Sequence, residues 1–160
     1  MTPGKHPSFK ENYRRLRSAQ KPGRGAPLYS LMVNRPLGRA FAAMAHRFGM
    51  KPDQVTALSA LFTFAGICAI ALMEPGVVAA LTVTVALVVG YALDAADGQL
   101  ARLRGGGSLT GEWLDHVIDA FKVATLHVAV LIMLFQQGAD ERWLLVPLLF
   151  GIANVVEFFG

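Results

Sequence analysis

The chain has 160 residues, 54% of them hydrophobic, with a mean hydropathy of +0.44. That is too apolar for an ordinary soluble domain and fits a small membrane domain. Its single cysteine, Cys68, excludes an internal disulfide, and its net charge of +4 is uneven: 11 of the 15 Lys and Arg fall in residues 1–51.

Such a basic segment can serve nucleic acid. Here the charge abuts apolar segments, so anionic lipid headgroups are the expected partner and nucleic acid is not. Residues 1–26 mix basic residues with Pro and Gly and read as a flexible tail, within a cytoplasmic segment 1–33. No apolar core follows these charges within reach, which excludes a cleavable signal peptide.

The pattern changes at residues 34–49. Asn34 suits a helix cap, Pro36 the first turn and Gly49 the exit. Leu37, Phe41, Met44 and Phe48 recur at helical spacing, with Arg35, Arg39 and His46 on another face. The juxtamembrane segment 34–50 is therefore expected to be a basic amphipathic helix lying at the membrane interface.

The remainder, 51–160, reads as a transmembrane catalytic domain. Residues 55–73 carry no charge and are long enough to span a bilayer. Glu74, Pro75 and Gly76 form a tight turn, and a second helix runs from 77 to about 102. A glycine-rich loop, 104–111, returns the chain to a third helix at 112–135. A polar loop, 136–142, leads to a fourth at 143–159. Arg102 and Arg104 lie on the side of the basic N-terminus, whereas the opposite loops offer only Arg142. The positive-inside rule then places the N-terminus and the end of the second helix at the cytoplasmic face. The expected fold is all-α, a polytopic transmembrane helix bundle with an N-terminal interfacial helix.

Four aspartates flank the glycine-rich loop. Asp94 and Asp97 are three apart and Asp115 and Asp119 four apart, so each pair shares one helix face. Four like charges at the ends of apolar helices require something positive among them. Oxygen-only donors suit Mg²⁺ or Mn²⁺, and nothing here forms a Cys/His zinc set. Four carboxylates exceed what one Mg²⁺ usually takes, so two ions are expected, an arrangement that typically clamps a phosphoryl group. Gly98 and Ala101 leave room on the same face for a flat or phosphate-bearing ligand. Arg102 supplies a fork of donors suited to phosphate.

The string D94-x2-D97-G98-x2-A101-R102-x8-G111-x3-D115-x3-D119 resembles the signature of the CDP-alcohol phosphotransferases, at every fixed position and both gap lengths. A looser resemblance extends upstream to Pro52-Asp53-x2-Thr56. The resemblance implies an integral membrane enzyme that moves a phospho-alcohol from a CDP-alcohol to an acceptor hydroxyl and releases CMP. It implies metal ligation by Asp94, Asp97, Asp115 and Asp119, with Asp119 also the general base. Gly98, Ala101, Arg102 and Gly111, with Asp53 and Thr56, would face the nucleotide. Family members usually have six transmembrane helices and this chain shows four, the missing ones being those that complete the acceptor pocket. The last helix runs to the chain end without a polar tail, so either the chain is truncated or a second copy completes the bundle as a homodimer. Inositol phosphate, glycerol phosphate, serine and a second lipid remain open as acceptors. Ala120 points away from glycerol phosphate, since members using that acceptor often carry lysine there.

Two rival classes lack this fit. Intramembrane prenyltransferases also use aspartate pairs with Mg²⁺, but do not call for Gly98, Ala101, Arg102 and Gly111 at these spacings. In a transporter the acids would run through the bilayer instead of clustering at one boundary. Lys122 shares the stripe of Asp115 and Asp119 and either neutralises Asp119 or contacts an acceptor phosphate. His116 and His127 read as packing residues, Gly66, Gly90 and Gly151 as close helix contacts, and Trp143 as an interfacial anchor. Glu157 reads as interfacial or as a helix contact in a longer protein.

Overall fold

The computed structural model describes residues 9–18 and 27–160, and among these all regular structure is helical. Six α-helices follow in order: α1 (Phe9–Ser18), α2 (Arg35–Arg47), α3 (Pro52–Leu72), α4 (Val77–Leu103), α5 (Leu109–Gln136) and α6 (Glu141–Phe159). The last four are long and apolar enough to cross a membrane. The expected all-α class and the four spans hold.

The basic N-terminal segment departs from expectation. The stretch read as a flexible tail contains α1, and Leu16 on that helix is buried among Ala42, Ala43 and Ala45 of α2. Burying a leucine side chain contributes about 1.5–3 kcal/mol, which offsets a small part of the ordering cost of a short polar helix and fixes its place against α2. Tyr13 adds a second anchor, its ring centroid 5.0 Å from the Arg39 guanidinium carbon. The rest of the tail, residues 1–8 and 19–26, lies outside the described residues.

Asn34 does not cap α2. The chain is already helical from residue 28, and Asn34 itself has helical dihedrals (φ −64°, ψ −46°) with no side-chain cap bond. A π-turn over Ser30–Asn34 joins the two stretches, with the Arg35 amide donating to the Ser30 carbonyl. Pro36 explains it. A proline ring clashes with the carbonyl four residues back and offers no amide donor, and a local widening to five-residue bonding relieves both. At the other end Gly49 exits α2 with φ +72°, as expected, and the Met50 amide closes back on the Ala45 carbonyl at 2.9 Å.

The chain forms two compact units, the first comprising Met1–Ser59 with Gly90–Glu112 and the second Ala60–Val89 with Trp113–Gly160. The core of the first gathers Leu16, Ala42, Ala43, Ala45, Val55, Ala96 and Leu100. Small residues dominate because backbones approach closely there. A Cβ on Gly38 of α2 would stand 3.0 Å from the Ala95 Cβ and 2.9 Å from the Gln99 amide nitrogen of α4. Tyr29 stacks on Tyr91 with ring centroids 6.2 Å apart.

In the second unit Ile67, Ala71 and Ala129 form a smaller core with Phe64, Leu87 and Leu126 packed against it. A Cβ on Gly66 would lie 2.9 Å from Leu87 Cδ2, and one on Gly151 would lie 3.1 Å from the His127 Cβ. Both glycines thus serve close helix contacts. His127 also packs near Phe150, and His116 stacks on Phe158 at 4.6 Å, so both histidines occupy packing positions. The Asp140 carboxylate caps α6 by accepting from the Arg142 amide at 3.0 Å, which starts that helix two residues earlier than its apolar run suggests.

Candidate active site

α4 carries Asp94 and Asp97 on one face, and α3 brings hydroxyls to meet them. Thr56 Oγ1 donates to Asp97 Oδ2 at 2.6 Å. Ser59 Oγ lies 3.0 Å from the Gly90 carbonyl oxygen and 3.4 Å from Asp94 Oδ1. Thr56 and Ser59 are three apart, as are the two aspartates. Antiparallel helices then pair the earlier hydroxyl with the later acid. Asp97 is buried and also accepts a hydrogen bond from the Gly98 amide, while Asp94 is half-buried. A buried carboxylate needs such donors, because leaving it without them in apolar surroundings is costly. Ser59 escaped the sequence reading, since which α3 residue opposes Asp94 depends on the register between the helices.

Beyond Asp97 the helix opens space. Arg102 lies across Gly98, its Nη1 3.5 Å from where a Cβ there would be, and the residue is exposed. The chain then turns sharply at Gly105 (φ +96°) and Gly106 (φ +131°), conformations that residues with a side chain rarely adopt. The Gly106 amide closes on the Ala101 carbonyl at 3.0 Å. A Cβ on Gly107 would reach within 3.9 Å of the Ala101 methyl, so any bulk at either position would fill the same small space.

Gly111, expected in the loop, sits in the first turn of α5. Ser108 is the reason: its hydroxyl oxygen accepts from the Gly111 amide at 3.0 Å, an N-terminal cap that starts the helix before the apolar pattern does. Asp53, exposed in the first turn of α3, sends Oδ1 to 2.8 Å from the position of a Gly111 Cβ. Only glycine lets the carboxylate stand there. Asp53, Gly111, Gly98, Ala101 and Arg102 all belong to the first unit, together with Thr56, Asp94 and Asp97.

Asp115 and Asp119 stand on α5 in the second unit, both half-buried. Lys122 Nζ donates to Asp119 Oδ1 at 2.8 Å, with side-chain exposures of 13% for the lysine and 33% for the aspartate. Of the two roles open to Lys122, pairing with Asp119 is therefore present. A charge pair at that exposure is still reachable by water.

Among proteins of known family, the sequence model of the CDP-alcohol phosphatidyltransferase family matches residues 50–158. No curated protein and no solved structure gives a significant match.

Proposed function

Because the chain belongs to the CDP-alcohol phosphatidyltransferase family, we propose that it transfers a phosphatidyl group from a CDP-alcohol such as CDP-diacylglycerol to an acceptor hydroxyl, releasing CMP. Family and helices together make it an integral membrane protein of transferase type. The observation that carries the reading is the donor set. Asp94 on α4 and Asp115 and Asp119 on α5 offer carboxylate oxygens able to ligate a metal ion, in a family that generally depends on divalent metal. All-oxygen donors fit Mg²⁺ or Mn²⁺, and Asp97 brings the carboxylates to four, enough for two ions. When bound, such ions neutralise charge developing on the phosphoryl oxygens and on the departing CMP.

The chain's own residues supply the rest. Gly98, Ala101 and Gly111 leave the space a cytidine nucleotide requires, with Asp53 beside Gly111 and Arg102 offering its fork to a phosphate. Thr56, whose hydroxyl donates to Asp97, belongs with this group in sequence. An acceptor hydroxyl is a poor nucleophile until it loses its proton, and Asp119 takes that proton as the oxygen bonds to phosphorus and the bond to CMP breaks. Asp119 suits this because it lies one turn, about 6 Å, further along α5 than Asp115. The active site and the basic N-terminal segment face the cytoplasm, where anionic headgroups meet the cationic residues.

The test is CMP release from CDP-diacylglycerol by the purified protein in detergent, across inositol phosphate, glycerol phosphate, serine and lipid acceptors. Activity with at least one acceptor, dependent on Mg²⁺ or Mn²⁺ and lost in Asp94→Asn, is the expected result. Metal-independent release, or full activity in Asp94→Asn, would overturn it. Turnover of a prenyl diphosphate instead would move the chain to another class.

A further inference from the structure

We propose that an exposed apolar stripe along residues 28–48 docks on an anionic phospholipid leaflet, its large side chains inserted among the lipids and its cations meeting their headgroups. The inference goes beyond the reaction proposed above and does not depend on it.

The stripe belongs to one continuous helical run that starts at residue 28, crosses the π-turn and ends with α2. Its two sides are sorted the wrong way round for water. The buried positions hold only small residues: Asn34, Gly38, Ala42 and Ala45, which recur every three or four, and Ala43. They close on α4, where a Cβ on Gly38 would stand 3.0 Å from the Ala95 Cβ and 3.2 Å from the Ala92 carbonyl oxygen. The large apolar residues are left outside. Leu28, Met32 and Phe48 are 75%, 74% and 73% exposed, and Val33, Leu37 and Met44 are exposed as well. Val33, Leu37, Met44 and Phe48 are four, seven and four apart, so they line one side of the run. Phe41, expected on that side, turns partly inward against the core. A helix held in water hides its large apolar residues, and a contiguous row left exposed marks a surface with an apolar occupant.

Two observations select lipid as that occupant. The first is continuity. α3, the first of the four helices long and apolar enough to cross a membrane, starts at Pro52, four residues after Phe48. Four residues reach at most about 14 Å, so the end of the stripe stays close to the start of that helix. The second is charge. Residues 28–51 contain Arg35, Arg39, Arg47 and Lys51 and no Asp or Glu. Arg47, beside Phe48, and Lys51, just before α3, are both exposed. A helix with one apolar side and only cations among its charges lies in the plane of an anionic interface, its apolar side among the upper acyl chains.

The experiment places a nitroxide on the full chain reconstituted in vesicles. Cys68→Ser removes the native thiol, and Met44→Cys, Phe48→Cys and Arg47→Cys each supply one labelling site. EPR power saturation then compares collisions with oxygen, which concentrates in lipid, and with a water-soluble nickel chelate. In vesicles of phosphatidylcholine with phosphatidylglycerol, oxygen should dominate at 44 and 48 and should dominate less at 47. In phosphatidylcholine alone the oxygen excess at 44 and 48 should shrink. Thermal unfolding checks each labelled protein, and Met32→Cys replaces either stripe position if that variant does not fold. Nickel dominating at 44 and 48 would put the stripe in water and overturn the proposal. Labels shielded from both reagents would overturn it too, because a second copy or another protein would then cover the stripe. An oxygen excess at 47 equal to that at 48 would remove the oriented stripe, and equal insertion in both vesicle types would overturn the anionic leaflet as its partner.

Discussion

The two aspartate pairs are supported in opposite ways. On α4, Asp97 is buried and held by neutral donors, the Thr56 hydroxyl from α3 and the Gly98 amide. On α5, Asp119 is a third exposed and held by a full charge, the Lys122 ammonium three residues along the same helix. A hydroxyl and an amide fixed by backbone hold a carboxylate still without neutralising it. An ammonium on a flexible four-carbon stem neutralises it but can swing away. The first arrangement suits a group that must keep one geometry through turnover. The second suits a group that must gain and lose a proton.

The sharpest way to break this contrast is Asp119→Asn. Removing a general base typically costs about 10²–10⁴-fold in rate, so kcat should fall by that much while CDP-diacylglycerol affinity falls much less than in Asp94→Asn. Steady-state kinetics with direct donor-binding measurements separate the two. A collapse of donor binding as complete as in Asp94→Asn would make Asp119 only a ligand, and the contrast would disappear.

Lys122→Met is a milder probe. If the ammonium serves only Asp119, a part-exposed ion pair of about 1 kcal/mol or less predicts a loss in kcat no greater than about fivefold. A selective rise in the acceptor KM would show instead that the lysine also contacts the acceptor.

The smallest effect on activity is expected at Gly38→Ala, behind the α4 pair. The added methyl would press on Ala95 and Gln99, and overpacking of this kind costs about 1–3 kcal/mol of stability. The melting temperature in detergent should drop while the KM values hold. Altered KM would mean that the α2–α4 contact tunes the aspartates as well as the fold.

Much of this was legible in the sequence because helical spacing alone decides which residues share a face. Asp94 with Asp97 and Asp115 with Asp119 follow from a period of 3.6, and the four spans from apolar runs of bilayer length. Contacts across helices were not legible. That Thr56 faces Asp97, or that Gly111 makes way for Asp53, depends on axial register, which no local pattern encodes. Two misreadings had signals that were overlooked. Phe9, Tyr13 and Leu16 carry helical spacing inside a segment whose charges, prolines and glycines suggested a tail. Ser108 stands three residues before Gly111, a capping distance, but the preceding glycines drew the loop boundary too far. Asn34 misled in the other sense. An asparagine shortly before a proline looks like a helix start, yet the apolar residues upstream let the helix run straight through it.

That run through Pro36 depends on one surplus residue. A π-turn holds an extra residue compared with an α-helical turn, so everything before it is rotated by about 100° relative to everything after it. The rotation accompanies the stacking of Tyr29 on Tyr91 while Gly38 keeps its seat against Ala95. Because Pro36 still disfavours plain α-helical winding, a single-residue deletion in residues 30–34 would shift or break the helix there and swing Tyr29 off its partner. A single-codon substitution in the same stretch would leave the phase of the helix untouched. Length, more than side-chain identity, is what this segment has to preserve.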